Sequence, residues 1–569
     1  MLCALLSAGC KAVPDPDPSS EPSEEPSAEP SSDPSDDPSS GPVQIEPLIL
    51  TFSIRECPDA EISISQDKTI SAIVPRSVSL SALTVDFTMP EGVTATPESG
   101  SVLDLGKKQN IFLTAPSGKA AKYTVEASLA PYSGCSLLQI QCNETLTHLY
   151  VRGSGVTIKV PYGSDLSSLT FTTVLSEGAT GEASPVGPDG HFTYTVTAQD
   201  GIHKNEYDVA LSMWPQDKGV RGVYLPDPSH TASFLSPEAV KNSIALLKEL
   251  KFNCLYVCGW ARSMVAWDSD VLLSHSTYST AGQGNFYSGY SGEDALADII
   301  REAHEAGIKV ILWMEYGFMH RAGGVVWDDP VLAANPSWIG RGKDGDVASY
   351  NGTDFYYNAY DPEVRSFMLE LMEEVLDKYP DLDGIQGDDR LPAMPRESGY
   401  NASTVELYCS QTGNPAPTDD YDRDWSRWRL DILNGFAADM ATLARSRGRL
   451  ISFAPNKYPW CESVLMQEWP QWVKAGGVDI LNVQLYITGR YDDDLTDTVP
   501  YAEGTVFSPS MILKNGSAIM DPLMISDEWY ANRAAGTGCE SQFWFDGLLE
   551  EKVQDIFSKI YVEEALWPF

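Results

Sequence analysis

Two hydrophobic rhythms divide this chain. Between residues 44 and 213, short β-branched and aromatic runs alternate with polar residues, and Gly, Pro, Asp and Ser separate the runs. A period of two puts one face of each strand in a core and the other in solvent. The pattern occurs twice. Residues 44–130 end on an alternating Tyr123-Thr-Val125 strand behind Gly118, and residues 131–213 end on Tyr207-Asp-Val209 behind Gly201. Two small all-β sandwich domains in tandem are expected.

From about residue 218 the rhythm changes to apolar strands alternating with helical stretches. Expected strands are Val220–Leu225, Asn253–Val257, Ile308–Met314, Asp383–Gln386, Leu450–Ala454, Asp479–Tyr486, Met511–Leu513 and Ser541–Phe545. The helical period appears over Asp294–Ala306, Pro362–Lys378 and Trp425–Arg445, and Ser236-Pro237-Glu238 has the cap and first-turn proline of another helix. Eight βα units predict a C-terminal (β/α)8 TIM-type barrel over 218–569. An open doubly wound sheet is the competing fold, but no Gly-rich phosphate turn follows the first strand.

The N-terminus obeys neither rhythm. Residues 1–10 have the short apolar run, small residues and terminal Cys10 of a bacterial lipoprotein signal, without the basic start. Cys10 is the expected lipidation site. Residues 11–43, rich in Pro, Ser, Asp and Glu, cannot bury a core and predict a disordered acidic tether. Anchoring to the membrane is then through lipid only, in a bacterial cell envelope or at the cell surface. The formal net charge of −41 argues against nucleic acid as a partner. The ten cysteines form no metal-binding pattern. Cys254 and Cys258 are read as buried thiols, while Cys135 with Cys142, or Cys461 with a distant partner, remain open as disulfides.

Candidate chemistry gathers at the strand ends. Asp383-Gly-Ile-Gln-Gly-Asp-Asp389 is a short apolar strand closing on two carboxylates, and Glu315 ends the third strand. Asp227, Trp260, Arg262, Asn456, Gln484, Tyr486 and Asp546 end others. Adjacent acids on a strand point in opposite directions, so one of Asp388 and Asp389 faces a cleft and the other holds an Arg or a backbone amide. Cleaving a glycosidic bond takes two carboxyl groups, one to protonate the leaving oxygen and one to attack the anomeric carbon or activate water. Glu315, Asp388, Asp389 and Asp546 are the candidate acids. The histidines do not cluster with these acids, so no metal site and no cofactor are expected.

Several motifs in order resemble the bacterial glycosyl hydrolase-like 10 family. They are Arg221-Gly-Val-Tyr, Trp313-Met-Glu-Tyr-Gly-Phe318, Asn335-Pro-Ser-Trp338, Asp361-Pro-Glu-Val-Arg365, the Asp383–Asp389 run, Trp425-Ser-Arg-Trp-Arg429, Phe453-Ala-Pro-Asn456, Glu468-Trp-Pro-Gln-Trp472 and Val483-Gln-Leu-Tyr486. The front modules resemble immunoglobulin-like domains of surface lipoproteins. The resemblance implies hydrolysis of O-glycosidic bonds in an extracellular or envelope polysaccharide, with peptidoglycan glycan strands one candidate. It places Glu315, Asp388, Asp389, Asn456, Gln484 and Tyr486 in the cleft. Arg221, Trp260, Arg262, Tyr316 and Asp546 complete the expected substrate-binding set. Gly387 stands where relatives have an aromatic residue, which implies a different subsite floor, and Arg390 stands where His is common. Asp546 stands where Glu is frequent, which leaves Asp389 as nucleophile or base and Glu315 as acid the preferred pair, with Asp388 beside them. The alternative is a catalytically silent glycan-binding lipoprotein presenting Trp260 and Trp460.

Overall fold

The computed structural model describes residues 45–146, 148–321, 326–350, 354–487 and 489–569. Cys10 and the expected tether at 11–43 lie outside the described residues. The chain forms two compact units that meet in sequence at Ala130 and Pro131.

In the first unit a three-stranded sheet (Thr51–Ile54, Leu83–Thr88, Ser101–Leu103) is accompanied by a five-stranded one. Phe52, Val85, Ile70, Val125 and Tyr123 share its core. Its last strand, Ala120–Leu129, pairs parallel with Thr69–Val74 and antiparallel with Gln109–Thr114. The second unit opens with a sandwich built the same way. Its strand Lys204–Met213 pairs parallel with Gly155–Val160 and antiparallel with His191–Thr197. Gly118 and Gly201 sit at the tight turns before these last strands with φ of +82° and +71°, a region that disfavours side chains. The inward Tyr and Val of each closing strand are buried, as the alternation requires.

The rest of the second unit is a parallel barrel. Its strands are β1 (Arg221–Leu225), β2 (Cys254–Cys258), β3 (Lys309–Trp313), β4 (Gly384–Gly387), β5 (Leu450–Phe453), β6 (Ile480–Leu481), β7 (Val506–Phe507 and Ser510–Ile512) and β8 (Glu540–Phe543). Each pairs with its sequence neighbour, and β8 returns to β1. The interruption of β7 closes the ring, because its first segment pairs with β6 and its second with β8. At least one helix follows each strand, and the last α-helix after each is, in order, α1 (Pro237–Glu249), α2 (Ala295–Glu305), α3 (Pro362–Lys378), α4 (Arg423–Ser446), α5 (Trp469–Lys474), α6 (Tyr491–Thr498), α7 (Pro522–Ala534) and α8 (Glu551–Ile560). Ser236 caps α1 through Ala239 N, with Pro237 in the first turn. Among the described residues no helix is long and apolar enough to cross a membrane.

The barrel interior is polar at its centre. Asn482 Oδ1 accepts from Gln386 Nε2 at 3.0 Å, Ser452 Oγ at 2.9 Å and Tyr256 OH at 3.3 Å. Its Nδ2 donates to Ser541 Oγ at 2.8 Å and to the Ser508 carbonyl at 3.1 Å. β1 joins this layer without a side chain, since a Cβ on Gly222 would lie 2.6 Å from both Ser541 Oγ and the Tyr256 ring.

The base of the barrel corrects one expectation. Arg221 is the first residue of β1, at the end away from the strand termini that carry chemistry, so it is not a substrate-binding residue. Its guanidinium donates to Asp217 Oδ2 at 2.8 Å and to the Glu563 carbonyl at 2.7 Å, and lies 4.1 Å from the centre of the Tyr561 ring. Arg533 bridges Asp217 and Glu540 beside it. Cys135 and Cys142 are unpaired, as is Cys461, so none of the disulfides left open forms, and Cys254 and Cys258 are buried free thiols.

Replacing Asn482 by Ala would strand Gln386, Ser452 and Ser541 without their shared partner. At about 1–3 kcal/mol for a buried polar group left unsatisfied, a loss of about 3 kcal/mol is expected. Urea unfolding of the variant checks it, and an unchanged midpoint would contradict the network's role.

Candidate active site

The carboxyl ends of β1, β3, β4, β6, β7 and β8 surround a cavity of about 560 Å³. Its wall includes His230 after β1, Glu315, Tyr316 and Met319 after β3, Asp388 and Arg390 after β4, Gln484 and Tyr486 after β6, and Phe543 and Trp544 at the end of β8. That volume is in the range of small-molecule sites.

Asp388 and Asp389 both follow the last residue of β4, and both approach Arg390 Nη1. Asp388 faces the cavity, whereas Asp389 is not on its wall. Asp388 Oδ1 accepts from the Asp389 amide at 2.7 Å and from Gln484 Nε2 at 3.0 Å. Its Oδ2 has no hydrogen-bond partner and lies 3.6 Å from Arg390 Nη1. Asp389 is occupied at both oxygens, one by Arg390 Nη1 and the other by Asn456 Nδ2 at 3.0 Å. Asn456 therefore acts on Asp389 and is not itself on the cavity wall.

Glu315 follows β3 and is half-buried, with its Oε2 atom out of solvent and unpartnered. Burial, and then the negative charge of Asp227, pushes its pKa up to about 7, against the Cys258 thiol, His230 and Arg390. Burial, and then the Asp389 charge, also pushes Asp388 well above the usual carboxylate range, while Arg390 and the Asp389 amide pull it down. Two further wall residues, Trp313 and Trp544, have an indole N–H that is buried without a partner. Buried polar atoms are normally paired, so four orphans around one cavity mark a place where a polar ligand completes the bonding.

A second group lies beside Glu315. Asp227 receives Arg262 Nη2, the Ser229 amide at 2.9 Å and His230 Nδ1 at 3.0 Å. Burial works against the Asp227 charge, but these donors win, and its pKa falls to about 2. The hydrogen bond to Asp227 in turn raises the His230 pKa against the effect of burial. No group of His, Cys, Asp and Glu among the described residues is placed to hold a metal ion.

Residues 219–499 match the family model for glycosyl hydrolase-like 10, and residues 49–127 match that for SGBP, N-terminal. Among solved structures it is similar to the PgaB (BpsB) glycoside hydrolase domain from Bordetella bronchiseptica, at 12% identity over 62% of this chain and 100% of that one, TM-score 0.44. It is also similar to the catalytic domain of beta-amylase from Paenibacillus polymyxa, at 12% identity over 61% and 98%, TM-score 0.42. No curated protein sequence matches the chain.

Within the barrel, Glu315, Asp388, Tyr316, Gln484 and Tyr486 come together on the cavity wall. Tyr486 OH is paired with Ser510 Oγ at 2.9 Å. Arg262 reaches the site only through Asp227. Trp260 is a correction. It is fully buried, donates its indole N–H to the Gly317 carbonyl at 2.8 Å and packs on Phe367, so no ring face is offered to a ligand. Asp546 is another. It accepts from Thr231 Oγ1 at 2.6 Å and lies 3.6 Å from Lys514, tying loops together off the cavity wall. Gly387 does not floor a subsite either, because a Cβ there would lie 2.4 Å from the Leu391 carbonyl oxygen and 2.7 Å from the Phe453 ring. Sequence reasoning missed His230, Arg390, Trp313 and Trp544 as wall residues. His230 was legible in principle, standing three residues after the strand-end Asp227, but the other histidines drew attention to their scatter.

In Asp227→Asn the charge that holds the proton on His230 is gone. The His230 pKa should fall toward its ordinary value of about 6.5, which an NMR titration of the imidazole signals reads directly.

Proposed function

We propose that the barrel is a glycoside hydrolase in which Glu315 is the general acid and Asp388 the nucleophile or base. The observation that carries this reading is the pair of unpartnered buried oxygens, Glu315 Oε2 and Asp388 Oδ2, on the wall of one cavity. The surroundings divide the two roles. Asp388 has two N–H donors and a nearby guanidinium to support a negative charge. Glu315 has Asp227 close by and keeps its proton to about pH 7. Two carboxyl groups on one cavity wall, one of them an acid that keeps its proton to about pH 7, are what glycosidic cleavage requires, and the N–H donors and guanidinium at Asp388 oppose the burial that raises its pKa. Asp389, the acid first preferred on sequence, becomes a positioning residue for Arg390 and Asn456.

The substrate in this reading is an extracellular or envelope polysaccharide. The glycosyl hydrolase-like 10 match supports the reaction class, and the SGBP-like match supports glycan contact by the N-terminal domain. Lipidation of Cys10 would hold the enzyme at the bacterial cell envelope. Peptide-free peptidoglycan strands belong in the substrate panel beside neutral polysaccharides.

Reducing-end release across that panel is the test. Glu315→Gln and Asp388→Asn should each lower kcat by about 10²–10⁴-fold, while Asp389→Asn retains more activity than either. Wild-type rates in Glu315→Gln would overturn the assignment, and no release on any glycan would favour a silent binder. The pH profile gives a separate check. A general acid must be protonated, so a pKa raised to about 7 keeps activity below that pH and loses it as pH rises through it. That alkaline limb should be absent from the residual activity of Glu315→Gln.

A further inference from the structure

A groove of about 560 Å³ lies where the second sandwich meets the barrel, away from the strand ends. Tyr150 of the sandwich forms one side, and Asp492 and Leu495 of α6 with Asp527 and Tyr530 of α7 form the other. The two bodies are tied here, since Ser526 Oγ on α7 donates to the Thr145 carbonyl of the sandwich. A second cavity of about 370 Å³ shares Asp492 and Asp527 with the groove and adds Glu528. None of these residues is on the wall of the cavity at the barrel mouth.

Two observations here point independently to a ligand. Tyr150 is 74% exposed, a large aromatic side chain at the edge of a concavity. Glu528 is the opposite case, only 7% exposed, and its Oε2 has no partner although it lines the smaller cavity. We propose that this groove is a second glycan-binding site that takes a neutral oligosaccharide, with Tyr150 as its stacking platform and Glu528, Asp492 and Asp527 as its hydroxyl-binding groups.

The chemistry selects a neutral sugar over other ligands. Asp492, Asp493, Asp527 and Glu528 outnumber the one cation on the walls, Arg490, and so disfavour phosphate, sulfate and uronate groups. A divalent cation is disfavoured because no set of acids among the described residues is placed to hold one. Burial, with Asp492 and Asp527 nearby, raises Glu528 to about 8, so at neutral pH it presents one O–H donor and one carbonyl acceptor. A sugar hydroxyl both donates and accepts, and satisfies both. The apolar C–H face of the ring can pack on the tyrosine.

Affinity gel electrophoresis of the full chain in gels containing soluble starch, xylan or mixed-linkage β-glucan tests this, in a Glu315→Gln background so that no polymer is cut. At least one polymer should retard the protein, and Tyr150→Ala should weaken that binding about tenfold, as loss of an aromatic anchor does. Glu528→Gln should bind nearly as the parent does, because the amide also offers a donor and an acceptor, whereas Glu528→Leu should not. Retardation unaffected by Tyr150→Ala would assign binding elsewhere and overturn the proposal, as would no retardation in any gel. Retardation abolished by EDTA and by Glu528→Gln would replace it with a cation site. The readout is binding alone, so its failure leaves the hydrolase reading standing.

Discussion

The barrel is organised around Asn482. This one side chain gathers groups from β2, β4, β5, β7 and β8 at the centre, where an all-apolar layer is the usual filling. Its amide has both a carbonyl and an NH2, so it can satisfy hydroxyls and amides around a ring at once. The network also fixes Gln386, and Gln386 stands two residues before Asp388. Burial at the centre thus sets the direction in which β4 delivers its terminal carboxylates.

From that point the two ends of the barrel behave differently. At the base, Asp217, Arg221, Arg533 and Glu540 form a buried network of paired charges. At the mouth, Glu315 and Asp388 each have a buried oxygen left over. Low dielectric surroundings make an unpaired carboxylate costly, and at Glu315 the response is to hold the proton. The same burial that weakens the fold there gives a carboxylic acid that stays protonated near neutral pH. Paired charge at one end and unpaired acid at the other is the separation of stability from chemistry that this barrel geometry permits.

The acid pair works only because other residues take up the remaining charges. Asp389 is neutralised by Arg390 and held by Asn456, and Asp227 is neutralised by Arg262 and His230. Arg262 and Ser263 sit at a hairpin tip with φ of +52° and +60°, a region unfavourable to side chains. Ser263 is anchored there by Asp329 at 2.6 Å, which holds the turn that carries Arg262 to Asp227.

The hydrophobic pattern alone located the paired sandwiches and a part of each of the eight barrel strands, missing Val506–Phe507 of β7 and overrunning β6, because periodicity of two and of 3.6 is set by backbone geometry and is written residue by residue. It also located the strand ends, and with them Glu315, Asp388, Gln484 and Tyr486. It could say that one of Asp388 and Asp389 faces inward but not which. That choice rests on Arg390, Asn456 and Gln484, which reach the two acids only once β4, β5 and β6 lie side by side. Trp260 read as a platform because its residue type suits one, and only packing against Phe367 and Gly317 shows its faces to be covered. Arg221 shared a motif with strand-end residues, yet it begins its strand and so belongs to the other end of the barrel. Sequence determined which residues alternate and where each strand stops. Tertiary structure alone decided which side chains found partners and which were left unpaired, because a hydrogen bond across the barrel depends on distances that chain order does not record.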